Sequence, residues 1–362
     1  MRVSFVVCGV MLMGCGQSMM VPGPDAGEVP DAGTRFDAGD LTDAGVPADA
    51  GERVDAGTTA DAGLPSDAGA PLDAGLPTDA GLDPCPTTGM GAITPPAACF
   101  TLTPMQSGLP RGGDAHYALE PGGTAKGALV LYLPSSIAVP EMQVPDPVRN
   151  FYNAAAQRGF HVIALAHENQ QVLGISCRNN AACYGASRET VLTGVYQTGA
   201  AVGLRSITPQ DGIVARLEAA LRTLAARRPG QGWSQFLTPQ GVDWSRVIAT
   251  GHSQGGGHAA YLGQRFAVRR VVQLSSTCDL DQNDMPAPWT SASLTWATSP
   301  ATSFVGFAAP SNDSICPGHV AVWTNMGMDP SRMLRDAATC GATQTHNVTI
   351  NCLDNFPRWG PL

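Results

Sequence analysis

Charged residues are scarce in this sequence of 362 residues: Asp, Glu, Lys and Arg together make up only 14% of it. This scarcity argues against a nucleic-acid-binding protein, which needs a basic surface, and against a charge-rich disordered chain. The hydrophobic fraction of 43% is nevertheless enough for a sizeable core. The one marked apolar run, at the N-terminus, is too short to cross a bilayer as a helix.

The net charge of −9 is unevenly distributed along the chain. Residues 16–84 contain 14 acidic and two basic residues, whereas the chain from residue 85 onward contains 16 acidic and 18 basic residues. The acidity therefore belongs to one segment. The rest is nearly neutral and implies no strongly charged partner, so we expect no binding to nucleic acid.

The first 15 residues predict export from the cytoplasm. Arg2 precedes an almost wholly apolar run at residues 3–13, which has the length of a signal-peptide core. The run ends in Leu12-Met13-Gly14-Cys15, which resembles the lipobox of bacterial lipoproteins. The resemblance implies cleavage and lipidation at Cys15, and thus an anchor to the cell envelope on its periplasmic or cell-surface side. An ordinary signal peptide cleaved nearby is the alternative.

Residues 16–84 are interpreted as a linker. Asp-Ala-Gly begins at residue 25 and recurs with a period of six up to residue 79. Almost nothing in this repeat can fill a core, so we expect a disordered, self-repelling spacer. Its reach is about 40 Å as a random coil and about 180 Å as an extended polyproline-like chain. Calcium binding by the regular Asp residues is the alternative, but the large apolar residues of a β-helix repeat are missing.

Residues 85–362 are predicted to form one α/β domain. Short apolar runs that suit buried strands alternate with segments that suit helices, which predicts a mostly parallel sheet with helices on both faces. The expected strands are residues 127–133, 160–166, 245–250, 270–275 and 303–308, and the expected helices are residues 147–158, 211–228 and 256–265. Residues 168–210 show no clear periodicity and are interpreted as a long insertion of the kind that can cover a site.

The sequence Gly251-His252-Ser253-Gln254-Gly255 is the strongest chemical signal. A lone Gly-x-Ser-x-Gly is weak evidence, but this one follows a β-branched strand and opens a Gly- and Ala-rich helix. That is where a nucleophile elbow must lie. Ser253 is the predicted nucleophile, and the backbone N–H of Gln254 is a predicted oxyanion donor. A plain Gly-rich turn is the alternative.

A nucleophilic serine needs a histidine base and an acid that orients it, and in this architecture they follow the serine in the order acid, then histidine. We favour His346, with His319 in reserve, and expect His258 to be packed within its helix. For the acid we favour Asp313. Asp279, Asp281 and Asp284, which follow the preceding strand, stay open as candidates for the same role.

The second oxyanion donor should come from the loop after residue 133, where Ser135, or else Ser136, offers a backbone N–H. Serine after a strand is also a common turn former. The sequence contains no His-Glu-x-x-His and no Cys-x-x-Cys, so neither a metal site nor another cofactor is expected.

The residues 154–165, 251–258 and 269–276 resemble those of exported bacterial α/β-hydrolases, which are distantly related to esterases and polyester depolymerases. The resemblance covers residues 127–359. It implies an α/β-hydrolase fold with Ser253 as nucleophile and, by chain order, Asp313 and His346 as its partners. The chain departs from such enzymes at residues 133–136, where they often have glycine.

Two function classes follow. The first is a serine hydrolase that cleaves carboxylic esters, with a small-molecule or polymeric ester as substrate, and that acts as a monomer. The second is a non-enzymatic surface lipoprotein that uses the same fold to bind a glycan or a protein. The order of Ser253, Asp313 and His346 favours the first class.

Eight cysteines remain besides Cys8 in the signal and Cys15, and an even number in an exported domain indicates disulfides. Eight cysteines allow 105 connectivities, and the sequence alone does not choose among them. Closeness along the chain suggests Cys85–Cys99, Cys177–Cys183, Cys278–Cys316 and Cys340–Cys352. The last pair would enclose His346 in a short loop and brace it.

Replacing Cys15 tests the predicted anchor. In Cys15→Ala the acceptor thiol is lost, so the protein should leave the membrane fraction or remain unprocessed, whereas Cys8→Ala should behave as wild type. Membrane fractionation and mass spectrometry of the mature N-terminus measure both. A mature N-terminus at another residue, without lipid mass, would contradict the prediction.

Overall fold

The computed structural model describes residues 81–87, 98–109, 114–137, 146–309, 313, 315–335 and 345–351. The predicted signal peptide with Cys8 and Cys15, the repeat as far as residue 80, Cys340 and Cys352 lie outside the described residues. The predictions made for them therefore stay predictions.

The sheet is built from short buried strands. In chain order the strands are Asp83–Pro84 (β1), Cys99–Leu102 (β2), His116–Leu119 (β3), Leu129–Leu133 (β4), His161–Ala164 (β5), Leu237–Thr238 (β6), Gly241–Val242 (β7), Val247–His252 (β8), Arg270–Leu274 (β9), Phe304–Ala308 (β10) and Met333–Arg335 (β11). Within the described residues, nine of them form one sheet in the order β1-β2-β3-β5-β4-β8-β9-β10-β11, and β6 pairs with β7 separately. All five expected strands are present, as β4, β5, β8, β9 and β10.

The sheet is parallel from β5 to β11, and its first three strands run antiparallel to their neighbours. The antiparallel strands were not predicted, because they are two to four residues long and carry no continuous apolar run. β1 begins at Asp83, just inside the segment interpreted as linker, because Asp83 and Pro84 pair with β2.

Helices cover both faces of the sheet. The helices are Asp146–Gln157 (α1), Leu173–Ser176 (α2), Ala181–Thr193 (α3), Ile213–Arg227 (α4), Gln254–Arg265 (α5), Pro300–Ser303 (α6), His319–Asn325 (α7) and Val348–Asn351 (α8). Successive side chains of a strand point to opposite faces. In β4, Leu129 and Leu131 therefore pack into one core cluster with α3, α4 and α5, while Val130 and Tyr132 pack into a second cluster with α1. The predicted α/β architecture is confirmed.

The insertion at residues 168–210 is more ordered than its sequence indicates. It contains α2 and the 13-residue α3, where no helix was expected. α3 buries polar as well as apolar side chains, Ser187, Arg188 and Thr190 among them, so it has no apolar stripe at helical spacing. Periodicity fails to reveal a helix that is enclosed by protein on several sides.

Three of the suggested disulfides are present: Cys85–Cys99, Cys177–Cys183 and Cys278–Cys316, with Cα–Cα distances of 5.3, 5.2 and 5.2 Å. These distances lie within the range that a disulfide requires. In the part of the chain that the structure describes, we find no helix with the length and apolar character of a membrane span.

Three histidines lie buried near one another, with the rings of His167 and His258 5.4 Å apart. Burial, reinforced by the charges of Arg216 and His167, lowers the pKa of His116 to about 3. Burial also lowers the pKa of His167 to about 4 and, with the charge of Arg188, holds the pKa of His258 well below its usual range. All three histidines are therefore neutral in the folded protein near neutral pH.

This neutrality predicts a dependence of stability on pH. An unfolded chain protonates its histidines below a pH of about 6.5. In the folded protein the pKa values of His116 and His167 are about 3 and about 4, and that of His258 lies well below its usual value, so the unfolded state binds more protons as the pH falls below 6.5. The free energy of unfolding should fall across that window as the pH falls, by up to about 1.4 kcal/mol per pH unit for each histidine.

The variant His258→Leu isolates one of these contributions. Neither ring nitrogen of His258 has a hydrogen-bond partner among the described residues, so the substitution removes no hydrogen bond. The slope of unfolding free energy against pH, measured below pH 6.5, should become shallower by up to about 1.4 kcal/mol per pH unit. Urea unfolding at several pH values measures it, and equal slopes in both proteins would contradict the prediction.

Candidate active site

Ser253 lies at the sharp turn between β8 and α5. Its backbone has φ 54° and ψ −125°, a strained conformation that residues with a side chain rarely adopt. The turn is held by the Ser253 amide, which donates to the carbonyl of Leu274 in β9 at 2.9 Å, and by the Ser253 carbonyl, which accepts from the amide of Gly256 at 3.1 Å. This is the geometry of a nucleophile elbow.

The two glycines of the motif are required by close packing. A Cβ at Gly251 would lie 2.5 Å from the carbonyl carbon of Gly255, and a Cβ at Gly255 would lie 2.1 Å from the carbonyl oxygen of Leu133. No side chain fits at either distance. The start of α5 therefore rests directly on the loop after β4, which is the loop predicted to supply the second oxyanion donor.

Asp313 and His346 are paired. The Nδ1–H of His346 donates to Oδ2 of Asp313 at 2.7 Å, and both side chains are buried. Oδ1 of Asp313 accepts from the amides of Ile315 and Cys316 at 3.0 and 2.9 Å. Burial raises the pKa of Asp313, but the hydrogen bonds and the charge of His346 outweigh it and bring the pKa below its usual value. The carboxylate thus stays ionised and fixes the tautomer of His346.

The pairing with Asp313 leaves Nε2 of His346 as an acceptor. This atom is buried and has no hydrogen-bond partner among the residues described. A neutral imidazole with a protonated Nδ1 and a free Nε2 is the form that accepts a proton from a hydroxyl group.

His252 ties the segment of His346 to the elbow. Its Nε2–H donates to the backbone carbonyl of His346 at 3.0 Å, and the two rings lie 4.8 Å apart. Burial and the neighbouring His346 lower the pKa of His252 to about 3, so the ring is neutral. A hydrogen bond of 3.0 Å between the hydroxyls of Ser275, which follows β9, and Thr349 in α8 also holds the segment that contains His346. The sequence reasoning missed this role, although His252 directly precedes Ser253.

Asp279 has a different partner. Both of its oxygens accept from Arg188, at 2.6 Å each, and Oδ2 also accepts from the indole N–H of Trp289 at 2.8 Å. Arg188 and Asp279 are almost completely buried, and Arg188 also donates to the carbonyl of Gln254 at 3.2 Å. Asp279 is thus committed to an ion pair and does not contact His346.

The remaining aspartates and histidines considered for the site also have separate partners. Asp281 accepts from the amides of Asn283 and Met285 in an exposed turn, and Asp284 lies 3.9 Å from Arg178 at the surface. His319 hydrogen-bonds through Nδ1 to the carbonyl of Cys316 at 2.7 Å, and His258 is packed within α5 as expected. Of the candidates weighed from the sequence, Asp313 and His346 are the two that the structure brings together.

The predicted oxyanion donors belong to two segments, the start of α5 and the loop after β4. The amide of Gln254 belongs to the first turn of α5, where backbone N–H groups have no partner within the helix. Ser135 is held by its carbonyl, which accepts from the side-chain amide of Asn169 at 2.6 Å. Its neighbour Ser136, the other residue considered, lines the cavity beside Ser253.

A cavity of about 320 Å³ opens beside Ser253. Its lining includes apolar side chains and the buried Arg188–Asp279 pair. Its lining residues are Ser136, Val172, Leu173, Gly174, Ile175, Arg178, Arg188, Ser253, Gln254, Cys278, Asp279 and Ile315. The insertion at residues 168–210 therefore does lie at the site. Within the described ranges, no group of three or more His, Cys, Asp or Glu is arranged to hold a metal ion.

The chain has the α/β-hydrolase fold: a mostly parallel sheet, an elbow between a central strand and a helix, and an acid and a histidine that follow in that order. No protein-family model and no curated protein matches the sequence.

Solved structures similar to the chain include three hydrolases. A thermostable carboxylesterase, EstE1, from a metagenomic library is 14% identical, with a TM-score of 0.38, over 71% of this chain and 83% of that chain. An S-formylglutathione hydrolase from Agrobacterium tumefaciens is 12% identical, with a TM-score of 0.37, over 67% and 85%. A dienelactone hydrolase from Anabaena variabilis is 14% identical, with a TM-score of 0.34, over 64% and 80%. At this level of similarity they carry no argument about activity.

Proposed function

We propose that this protein is a serine hydrolase that cleaves carboxylic esters through an acyl-enzyme on Ser253. The observation that carries the proposal is the hydrogen bond of 2.7 Å between Asp313 and His346, on a segment tied through His252 to the strained Ser253. A buried carboxylate that holds a buried histidine by a hydrogen bond serves no packing purpose that an apolar group would not serve better.

The geometry supports the following acylation step. Nε2 of His346 takes the proton from Oγ of Ser253 as that oxygen attacks the ester carbonyl, and Asp313 stabilises the imidazolium that forms. The backbone N–H of Gln254, with one from residues 135–136, stabilises the negative charge on the carbonyl oxygen. His346 then gives its proton to the departing alcohol.

Deacylation repeats the sequence with water. His346 takes a proton from a water molecule, whose oxygen attacks the acyl carbonyl, and the proton returns to Oγ of Ser253 as the acid is released. This chemistry uses protein groups and water alone, so no cofactor is part of the proposal.

We place this activity outside the cytoplasm, on a domain held to the cell envelope by a lipid on Cys15. The three disulfides support an oxidising compartment. The Asp-Ala-Gly repeat would act as a spacer between the anchor and the domain. We propose that the domain acts as a monomer on a small-molecule or polymeric ester.

The variant Ser253→Ala tests the nucleophile. Hydrolysis of p-nitrophenyl butyrate should fall by at least about 10³-fold, because a triad serine supplies several orders of magnitude in rate. Labelling by a fluorophosphonate probe should be lost, whereas the exposed Ser293→Ala should be labelled as wild type. A wild-type protein that is neither active nor labelled would favour a non-enzymatic surface lipoprotein that binds a glycan or protein.

Asp313 and Asp279 should respond to the same substitution in opposite ways. Asp313→Asn should lower kcat by about 10⁴-fold through loss of the imidazolium's partner, and should destabilise the fold by only about 1–2 kcal/mol. Asp279→Asn should leave Arg188 buried without its carboxylate and destabilise the fold by about 3–5 kcal/mol, with kcat of the folded fraction largely kept.

Urea unfolding and kcat, measured on both variants, give the comparison. Should Asp279→Asn abolish turnover in a stable protein, the acid has been assigned to the wrong aspartate.

A further inference from the structure

The side chain of Gln254 makes two hydrogen bonds to a segment distant in the chain. Its Oε1 accepts from the backbone amide of Leu173 at 2.8 Å, and its Nε2 donates to the backbone carbonyl of Gln171 at 3.0 Å. The chemistry at Ser253 requires only the backbone N–H of this residue. Both ends of the side-chain amide are therefore available for another purpose.

The segment that Gln254 holds forms the apolar wall of the cavity. Val172, Leu173 and Ile175 line the cavity beside Ser253. Leu173 is buried, whereas Ile175 is 79% exposed, so the wall runs from the core to the mouth of the cavity. The Cys177–Cys183 disulfide fixes the far end of this wall to α3, and Gln254 fixes its near end to the elbow.

The wall faces the acyl side of an ester. The departing alcohol must lie near His346, which protonates it. His346 is not among the described residues that line the cavity, whereas Ser253 and Gln254 are. A carbonyl bonded to Ser253, with its oxygen towards the amide of Gln254, therefore directs its acyl chain into the cavity.

We propose that Gln254 is a positioning residue that holds this apolar wall against the acyl chain of the substrate, and that the substrates are esters of short to medium apolar acids. The proposal rests on the proposed ester hydrolysis and adds the substrate class. Because the position of the wall is fixed, each methylene added to the acyl chain contacts apolar side chains. The enzyme's kcat/KM therefore depends on acyl-chain length.

Acyl-chain selectivity is the kinetic test. In wild type, kcat/KM for p-nitrophenyl esters should rise by about fourfold for each methylene from acetate to hexanoate, the factor expected for burial of a methylene group. In Gln254→Met, which has a similar length and no amide, the increment should fall to about twofold or less.

Hydrogen exchange at the amide of Leu173 is a test that does not depend on activity. The amide should be protected in wild type and should exchange at least about tenfold faster in Gln254→Met, because its acceptor is gone. Gln264→Met is the matched control. Gln264 lies in the same helix and donates to the carbonyl of Trp289 at 3.0 Å. That variant should change neither the exchange of Leu173 nor the acyl-chain increments.

The outcomes separate the two proposals. A wild-type protein without esterase activity overturns the proposed function and the substrate class with it. An active wild type whose increments are unchanged in Gln254→Met overturns the positioning role alone, as does unchanged exchange at Leu173. Should Gln254→Met not fold, Gln254→Asn, whose amide is one methylene shorter, is judged by the same two measurements.

Discussion

Helix α5 begins in direct contact with the backbone that ends β4, and the arrangement of the site depends on this approach. A side chain at Gly255 would meet the carbonyl oxygens of Leu133 and Pro134 at 2.1 and 2.3 Å. It would push the helix away from the loop. Ser253, at the turn that leads into this helix, has a strained φ of 54°. Glycine, which has no side chain, is the residue that permits this close backbone contact.

Two buried aspartates near the elbow show how the partner decides the role of a side chain. Asp279 faces a guanidinium, which offers hydrogen-bond donors and no acceptor, so the pair serves to join α3 to the chain after β9. Asp313 faces an imidazole, whose second ring nitrogen can accept a proton from a hydroxyl group. The second pair is suited to chemistry and the first to holding the structure together.

The sequence predicted what depends on local pattern. Apolar runs bounded by turn residues marked β4, β5, β8, β9 and β10, and the motif around Ser253 marked the elbow. The order of Asp313 and His346 followed from the architecture, and their contact is present.

What the sequence did not predict depends on contacts between distant segments. Helix α3 lacks an apolar stripe because it is enclosed by protein, and the short antiparallel strands pair only because their neighbours are in place. The choice between Asp313 and Asp279 required the position of Arg188, a residue 91 positions before Asp279. Likewise, nothing in the motif itself shows that His252 supports His346 or that Gln254 contacts Leu173.

The tie between His252 and His346 joins residues that are 94 positions apart, and Asp313 lies 33 positions before His346. Contacts of such long range cost much loop-closure entropy and tend to form late in folding. The elbow also rests on distant segments, because its turn is held by Leu274 and the start of α5 contacts Leu133. Under the proposed mechanism, the reactivity of Ser253 would therefore arrive only with the finished fold, when all of these contacts are in place.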